Sequence, residues 1–375
     1  MLDREATIGL NMIPGIGHVK YTALCEAFGS PAGVPGRSAE ELREVPGIGP
    51  QLAERVAAWE WERNLREELA LCDRAGVRII TLWDEAYPEV LRSLYDPPLC
   101  LYVRGKLPPL PESAVAVVGT RRMTQYGARM TRMITEEAVA SGYTIVSGLA
   151  FGVDTVAHTA TVEMNGITVA VLGGGLMRIH PQENVPLARR IVEGGGALVS
   201  EFPMMCPVSR TTFPRRNRIV AGMTRATIVT EAGIGSGALI TAKLALDNGR
   251  EVFAVPGHAD NMQAKGCHKL IKEGAALVES FSDVLDAFGV RVGGFLPGLE
   301  PDEVGEGRVP YDPDSPGDLS ADEQRVWKLL GEKERSLEEL VAETSFDTGR
   351  LLGVLMSLEM RMLADHGADQ VYRRL

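Results

Sequence analysis

The feature that most constrains this chain is an alternation of strand-like and helix-like segments between residues 112 and 289. Ala114–Val118 is an unbroken apolar run. Similar short runs follow at Thr144–Ser147, Thr168–Leu172, Ala197–Ser200, Ala226–Thr230, Val252–Val255 and Leu277–Val278. Helical patterns separate them, among them Met123–Ala140, Val153–Met164, Val185–Glu193 and Ala238–Asn248. Strands covered by helices on both faces read as continuous apolar segments. The alternation therefore predicts βαβ units and a doubly wound α/β sheet.

In an open parallel sheet, ligands bind outside the carboxyl ends of the strands. The polar and glycine-rich residues of this block fall there: Gly119-Thr120-Arg121-Arg122, Ser147-Gly148, Gly173-Gly174-Gly175, Ser200-Glu201, Gly235-Ser236-Gly237 and Pro256-Gly257-His258. Such a crest would present an anion-binding rim.

The net charge opposes that expectation at first sight. The 375 residues carry 39 Lys/Arg and 50 Asp/Glu, a net charge of −11. Neutralisation of phosphates by Lys and Arg supplies most non-specific affinity for nucleic acid. The charge is unevenly spread, however. Residues 112–289 hold 17 bases and 16 acids, and Phe202–Thr230 contains Arg210, Arg215, Arg216, Arg218 and Arg225 with no acid. A local basic patch is predicted within an acidic chain.

The small-nucleotide signatures are incomplete. Gly173 and Gly175 begin a dinucleotide fingerprint, but Arg178 occupies the third glycine position, and no GxxxxGK[ST] segment is present. Phe213-Pro214-Arg215-Arg216-Asn217-Arg218 matches a single-strand platform instead, with cations tracking the backbone and a ring for stacking. The bland alternative is a helix start whose arginines pair with Glu201 or Glu231. Asp154 and His158 lie four apart on a predicted helix. They read as a dipole-favoured acid and a buried, hydrogen-bonded imidazole. His180, His258 and His268 show no metal-ligand spacing, so neither metal nor cofactor is expected.

The length suggests two or three domains. We divide the chain into a helical segment 1–64, a connector 65–111, the α/β block 112–289, a flexible linker 290–317 and a C-terminal domain 318–375. Val77–Leu82 reads as a strand in the connector, and Pro108, Pro109 and Pro111 mark its end. The linker is rich in Gly, Pro and acid. The last segment opens on a Ser320/Glu323 capping box. Helical patterns at Ala321–Leu330, Leu337–Glu343 and Thr348–Met360, with a two-stranded tail, then predict a winged helix. At the other end, Met12-Ile13-Pro14-Gly15-Ile16-Gly17 recurs as Glu44-Val45-Pro46-Gly47-Ile48-Gly49. This resembles a helix-hairpin-helix pair, whose glycine turn exposes backbone N–H groups to a phosphate. An αα-hairpin that binds nothing remains open, because the flanks are acidic and only Lys20 and Arg55 lie nearby. The five cysteines (Cys25, Cys72, Cys100, Cys206, Cys267) are dispersed, pointing to a reduced compartment. With no secretory pattern and no apolar stretch near ~20 residues, a cytoplasmic protein without a membrane span is expected.

The crest segments together resemble the DNA processing protein A (DprA/Smf) family. The resemblance rests on Gly119-Thr120-Arg121-Arg122, Ser147–Asp154 with Ala157-His158, Ala170–Gly175, Ser200–Pro203, Phe213–Ile219, Ser236–Ala242, Val255-Pro256-Gly257 and Gly266–Ile271. It implies an extended Rossmann-like sheet between an N-terminal helix-hairpin-helix (SAM-like) domain and a C-terminal winged helix. It also implies a non-enzymatic homodimer that binds single-stranded DNA, protects it during natural transformation and loads the RecA recombinase onto it.

By motif, the implied DNA contacts are Arg121, Arg122, Arg210, Phe213, Arg215, Arg216, Asn217 and Arg218, with Lys243 and Lys269 as weaker candidates. The implied phosphate loops are Gly119, Thr120, Ser147, Gly148, Gly173, Gly174, Ser236 and Gly237. The implied dimer contact involves His268, Leu270, Ile271 and Leu277. The winged helix, net −4, suits protein contact or regulation, and duplex DNA is a further candidate ligand. A rival reading is a nucleotide-cleaving enzyme of phosphoribohydrolase type, with Glu231 as its carboxylate.

Overall fold

The computed structural model describes residues 1–110, 113–290, 319–330, 335–344, 346–360, 363–366 and 371–374. The chain forms two units, residues 1–295 and 296–375. From residue 291 onward the expected linker lies outside the described residues, as does Pro111 of the proline boundary.

The first unit opens with helices α1 (Asp3–Met12), α2 (His18–Phe28), α3 (Ala39–Arg43), α4 (Pro50–Ala57) and α5 (Trp61–Ala75). The sequence repeat becomes two helical hairpins, α1–α2 and α3–α4. Each turn passes through a glycine at positive φ, Gly15 at +100° and Gly47 at +81°. Its apolar residues Ile13, Ile16, Val45 and Ile48 are buried. The two cations near these turns are engaged locally. Lys20 Nζ donates to the Gly15 carbonyl and Arg55 Nη1 to that of Pro14.

Strand β1 (Val77–Thr81), helix α6 (Glu89–Arg92) and strand β2 (Cys100–Gly105) follow. β1 fulfils the strand expected there. β2, in a segment the sequence marks only as connector, pairs antiparallel with both β1 and β6 (Ala197–Ser200) and extends the sheet. The apolar run Leu99–Val103 was its signal, obscured by the flanking Pro97-Pro98.

The α/β block runs β3 (Ala114–Gly119), α7 (Gln125–Ala140), β4 (Thr144–Ser147), α8 (Val153–Glu163), β5 (Thr168–Val171), α9 (Val185–Glu193), then β6. It continues α10 (Thr212–Gly222), β7 (Ala226–Glu231), α11 (Gly237–Asp247), β8 (Glu251–Ala254), α12 (Lys265–Lys272), β9 (Ala276–Leu277) and α13 (Phe281–Ala287). The nine strands lie in the order β1-β2-β6-β5-β4-β3-β7-β8-β9, parallel from β6 through β9.

β3 shows why the apolar runs are continuous. Val115 and Val117 join a core with Met130, Ile134 and Ala138 of α7. Ala114, Ala116 and Val118 join the opposite core with Ile219 of α10 and Ala242 of α11. Successive side chains alternate between two covered faces. A third core joins the helical hairpins to the sheet, uniting Ile8, Leu24 and Leu52 with Tyr102, Leu149 and Leu198.

The second unit contains α14 (Ala321–Leu329), β10 (Arg335–Ser336), α15 (Leu337–Thr344), α16 (Thr348–Met360), β11 (Ala364–His366) and β12 (Val371–Arg374). The Ser320/Glu323 capping box forms as the sequence predicts. The expected two-stranded tail is a three-stranded sheet in the order β10-β12-β11, because Arg335–Ser336 pairs with Val371 and Tyr372. Its core contains Val326, Trp327, Leu340, Leu351, Leu355 and Leu358.

Candidate nucleic-acid interface

Strand order reverses after β6, and β7 returns to pair with β3 on the side away from β4. Helices must diverge there, which opens a crevice at the carboxyl ends of the strands. A groove of about 810 Å³ occupies it. Its lining comes from the turns after β3, β4, β7 and β8 and from one face of α10.

The turn that leads into helix α10 is closed by reciprocal bonds, in which Ser209 N donates to Thr212 Oγ1 and Thr212 N to Ser209 Oγ. Pro214 falls in the first turn, where its missing N–H costs nothing. The arginine-rich run is therefore helical, and helical period sorts its residues. Phe213, Arg216, Asn217 and Val220, at spacings of three, four and seven, face the groove. Arg215 and Arg218 lie on a neighbouring face and converge on Glu201. Arg215 Nη2 is 2.9 Å and Arg218 Nη2 is 2.5 Å from Glu201 Oε2. Arg218 Nε also approaches Asp96 Oδ2 at 3.4 Å. Glu201 and Arg218 are buried. These two arginines do not line the groove, and the alternative pairing with Glu201 holds for both.

Arg216 is buried beneath the groove. Its Nη1 donates to the Val171 carbonyl at 3.0 Å and lies 3.9 Å from Asp154 Oδ2. Gly148 makes this possible, since a Cβ there would stand 1.2 Å from Arg216 Nη1. Asp154 in turn accepts from the N–H groups of Gly148 and Ala150. Burial pushes the Asp154 carboxyl up and the Arg216 guanidinium down, while each charge opposes the shift of the other. His158 lies deeper still. Thr168 Oγ1 donates to the Ile145 carbonyl, so it accepts from His158 Nδ1 at 2.7 Å, leaving Nε2 bare. Burial, then the Arg216 charge, lowers its pKa to about 3. The pair Asp154 and His158 thus supports the floor rather than reaching a ligand directly.

Above this floor stand Arg121, Arg122 and Arg210, all exposed and lining the groove. None of the three makes an ion pair among the described residues. The Arg121 guanidinium lies over the Phe213 ring, 4.6 Å from its centroid. Among the described residues, Asp154 is the one acid in the lining.

Of the expected phosphate loops, Gly119, Thr120, Gly148, Ser236 and Gly237 line the groove. Ser236 caps α11 by accepting from Ala238 N. Three others do not line it. The Ser147 hydroxyl is buried and donates to the Val117 carbonyl. Gly173 and Gly174 are packing positions, where a Cβ would meet Phe213 Cδ1 at 3.1 Å and Val208 Cγ1 at 2.8 Å. Lys243 is exposed on α11 away from the lining, and Lys269 pairs with Glu273.

Among the expected dimer contacts, Leu270 is part of the core and so is not a surface residue. His268 Nε2 lies 2.9 Å from the Gly257 carbonyl oxygen. Ile271 is half-buried, and Leu277, 47% exposed, lies on β9 at the sheet edge. Glu231, the rival catalytic carboxylate, is buried outside the groove lining. Its two oxygens accept from Thr124 N and Thr124 Oγ1 at 2.7 and 2.6 Å. Sequence reasoning missed Ile234, Ile240, Met262 and Gln263 in the lining. An isoleucine between Gly233 and Gly235 was a signal for the first. Met262 and Gln263 carried none, being delivered by the loop after β8.

The pattern of the DNA recombination-mediator protein A family matches residues 78–289, that of the DprA winged helix domain 310–365, and that of the SAM-like helix-hairpin-helix tandem 8–58. Protein Smf of Escherichia coli is 43% identical over 240 residues, and the matched region spans 64% of each chain. The X-ray structure of DNA processing protein A from Streptococcus pneumoniae superposes with a TM-score of 0.64 at 31% identity. It covers 76% of this chain and 98% of that one. The Helicobacter pylori protein, whose structure concerns its single-stranded DNA binding mode, gives a TM-score of 0.50 at 27% identity, covering 57% and 97%. With the family pattern spanning more than half its length, this chain belongs to the DNA recombination-mediator protein A family.

Proposed function

We propose that this protein binds single-stranded DNA in the crest groove, without a catalytic step, and passes it to the RecA recombinase during natural transformation and recombination. One observation carries the binding reading. Arg121, Arg122 and Arg210 face the groove without an ion-pair partner among the described residues, and the only acid of the lining is already engaged with Arg216. Free cations converging on a groove at a topological switch point suit a phosphate backbone. Thr120, next to Arg121, adds a neutral hydroxyl on the same side, while Ser236 and Gly237 line the groove from the β7 turn opposite. The Helicobacter pylori relative, a single-stranded DNA binder, supports the choice of ligand. Engagement of both Glu231 oxygens by Thr124 argues against the nucleotide-cleaving alternative.

The protein would act as a homodimer in the cytoplasm, the sheet edge at Leu277 and the adjoining Ile271 supplying the contact. Supporting observations are the exposure of Leu277 and the five unpaired cysteines. No described helix is long and apolar enough to cross a membrane. An Ile271→Arg variant with unchanged sedimentation mass would rule this contact out.

The binding test is an oligonucleotide titration at several salt concentrations with Arg121→Ala and Arg210→Ala. Each variant should weaken binding and flatten the logarithmic salt dependence by about 0.7 for each phosphate no longer neutralised. Unchanged affinity and slope in both would sink the reading. Comparing single and double strands in the same assay tests duplex DNA as a further ligand.

A further inference from the structure

The groove is chemically two-sided, and sheet order fixes which side is which. All its arginines come from the turn after β3 and from the segment 210–217. The lining contributed after β7 and β8, on the far side of β3, contains no charged residue. It carries three large apolar side chains instead: Ile234, Ile240 and Met262, exposed by 73%, 45% and 68%. Exposed apolar residues scattered singly need no explanation, but a cluster on one lip of a concave site marks a binding surface. Gln263 is the polar side chain this lip offers beside the apolar ones, Thr241 being buried. The Gln263 amide oxygen already accepts from Thr120 Oγ1 at 3.3 Å, and Thr241 Oγ1 donates to the Gly237 carbonyl.

The stacking ring expected from the sequence is partly preoccupied. The Arg121 guanidinium covers Phe213, and the ring packs against Gly173. Bases of a bound strand therefore need another apolar surface, and the lip opposite the arginines supplies one. We infer that Ile234, Ile240 and Met262 form a base-contacting lip, so that the strand lies with its phosphates toward Arg121, Arg122 and Arg210 and its bases toward the β7 and β8 turns. Aliphatic and thioether side chains contact any base without reading its hydrogen-bonding edge, so this lip gives affinity without sequence preference. The inference rests on the proposed binding of single strands in this groove.

The test uses the full chain, an oligothymidine and an abasic oligomer of equal length and equal phosphate count. Wild-type protein should bind the abasic strand more weakly, with an unchanged salt slope. The double variant Ile234→Ser, Met262→Gln should lose about tenfold in affinity for oligothymidine and nothing for the abasic strand. Ile234→Leu should retain wild-type binding. Both sites are exposed, so thermal unfolding of the double variant should match wild type.

Equal losses on the two ligands, or no loss on either, would overturn the lip while leaving the arginine wall standing. Wild-type protein that binds neither strand in a salt-dependent manner would instead bring down the groove reading, and the lip with it.

Discussion

Two sets of arginines lie within a few residues of the same groove and do opposite work. Arg215, Arg216 and Arg218 form the densest cluster of positive charge in the chain, yet two of them pair with Glu201 and the third is buried with Asp154. Arg121 and Arg122 are a lone adjacent pair and Arg210 lies far along the chain, yet all three stand exposed on the groove rim. Density of charge along the chain is thus a poor guide to charge presented to a ligand. A buried guanidinium needs compensation, since an uncompensated charge in the interior is strongly unfavourable. The α10 arginines are accordingly those with acids nearby. The rim arginines keep their hydration and can exchange it for phosphate.

The sharpest way to break this contrast is to remove the interior partner. Glu201→Ala leaves Arg218 buried beside only the half-exposed Asp96, and should destabilise the protein by about 3–5 kcal/mol in denaturant unfolding. A loss below about 1 kcal/mol would show that Arg218 finds solvent and that the interior set is misassigned.

The next effect concerns Arg216, whose interior charge helps hold His158 neutral. His158 titrates near 3 in the folded protein and near its ordinary 6.5 when unfolded. Below about pH 6.5 the unfolded chain takes up a proton that the folded chain refuses. This residue's contribution is therefore present above that pH and is lost as pH falls toward 3, with a slope approaching about 1.4 kcal/mol per pH unit. Asp154, its carboxyl raised by burial, has the opposite sign at acid pH, so the measurement is the difference between wild type and His158→Gln. Identical pH dependence of their stabilities would contradict an interior Arg216 acting on a neutral imidazole.

The smallest effect separates Arg215 from the rim. Arg215 is half-exposed and its pair with Glu201 is partly screened, so Arg215→Ala should cost less than about 1 kcal/mol in stability. It should leave the salt slope of oligonucleotide binding almost unchanged, whereas Arg121→Ala flattens it. Equal flattening by both variants would move Arg215 onto the groove and blur the distinction.

The two halves of the repeat-bearing N-terminus carry a parallel lesson. Lys20 and Arg55, two cations near the glycine turns, each give one donor to a carbonyl of the first turn. The helical hairpins also share a core with the sheet through Tyr102, Leu149 and Leu198, so part of their sequence serves docking within the unit.

Much of this protein was legible without coordinates. The continuous apolar runs fixed a doubly covered parallel sheet, because residues such as Val115 and Ala116 must find apolar partners on both faces. The repeated Pro-Gly-Ile-Gly dictated two hairpin turns. The crest segments pointed to the edge of the sheet where the groove lies. What sequence left undecided was the direction of each side chain on an element whose state was unassigned. Only once 212–222 is a helix does the 3.6-residue period send Arg216 and Asn217 under the groove and Arg215 and Arg218 toward Glu201. Similarly, only the close approach of the 206–208 segment and Phe213 turns Gly173 and Gly174 into packing positions. Met262 reaches the lip because β8 lies beside β7, a neighbourhood set by strand order. Local pattern determined which elements exist and which ends carry polar groups. The tertiary structure decided which charges are neutralised and which remain free, because that depends on partners brought together from distant parts of the chain.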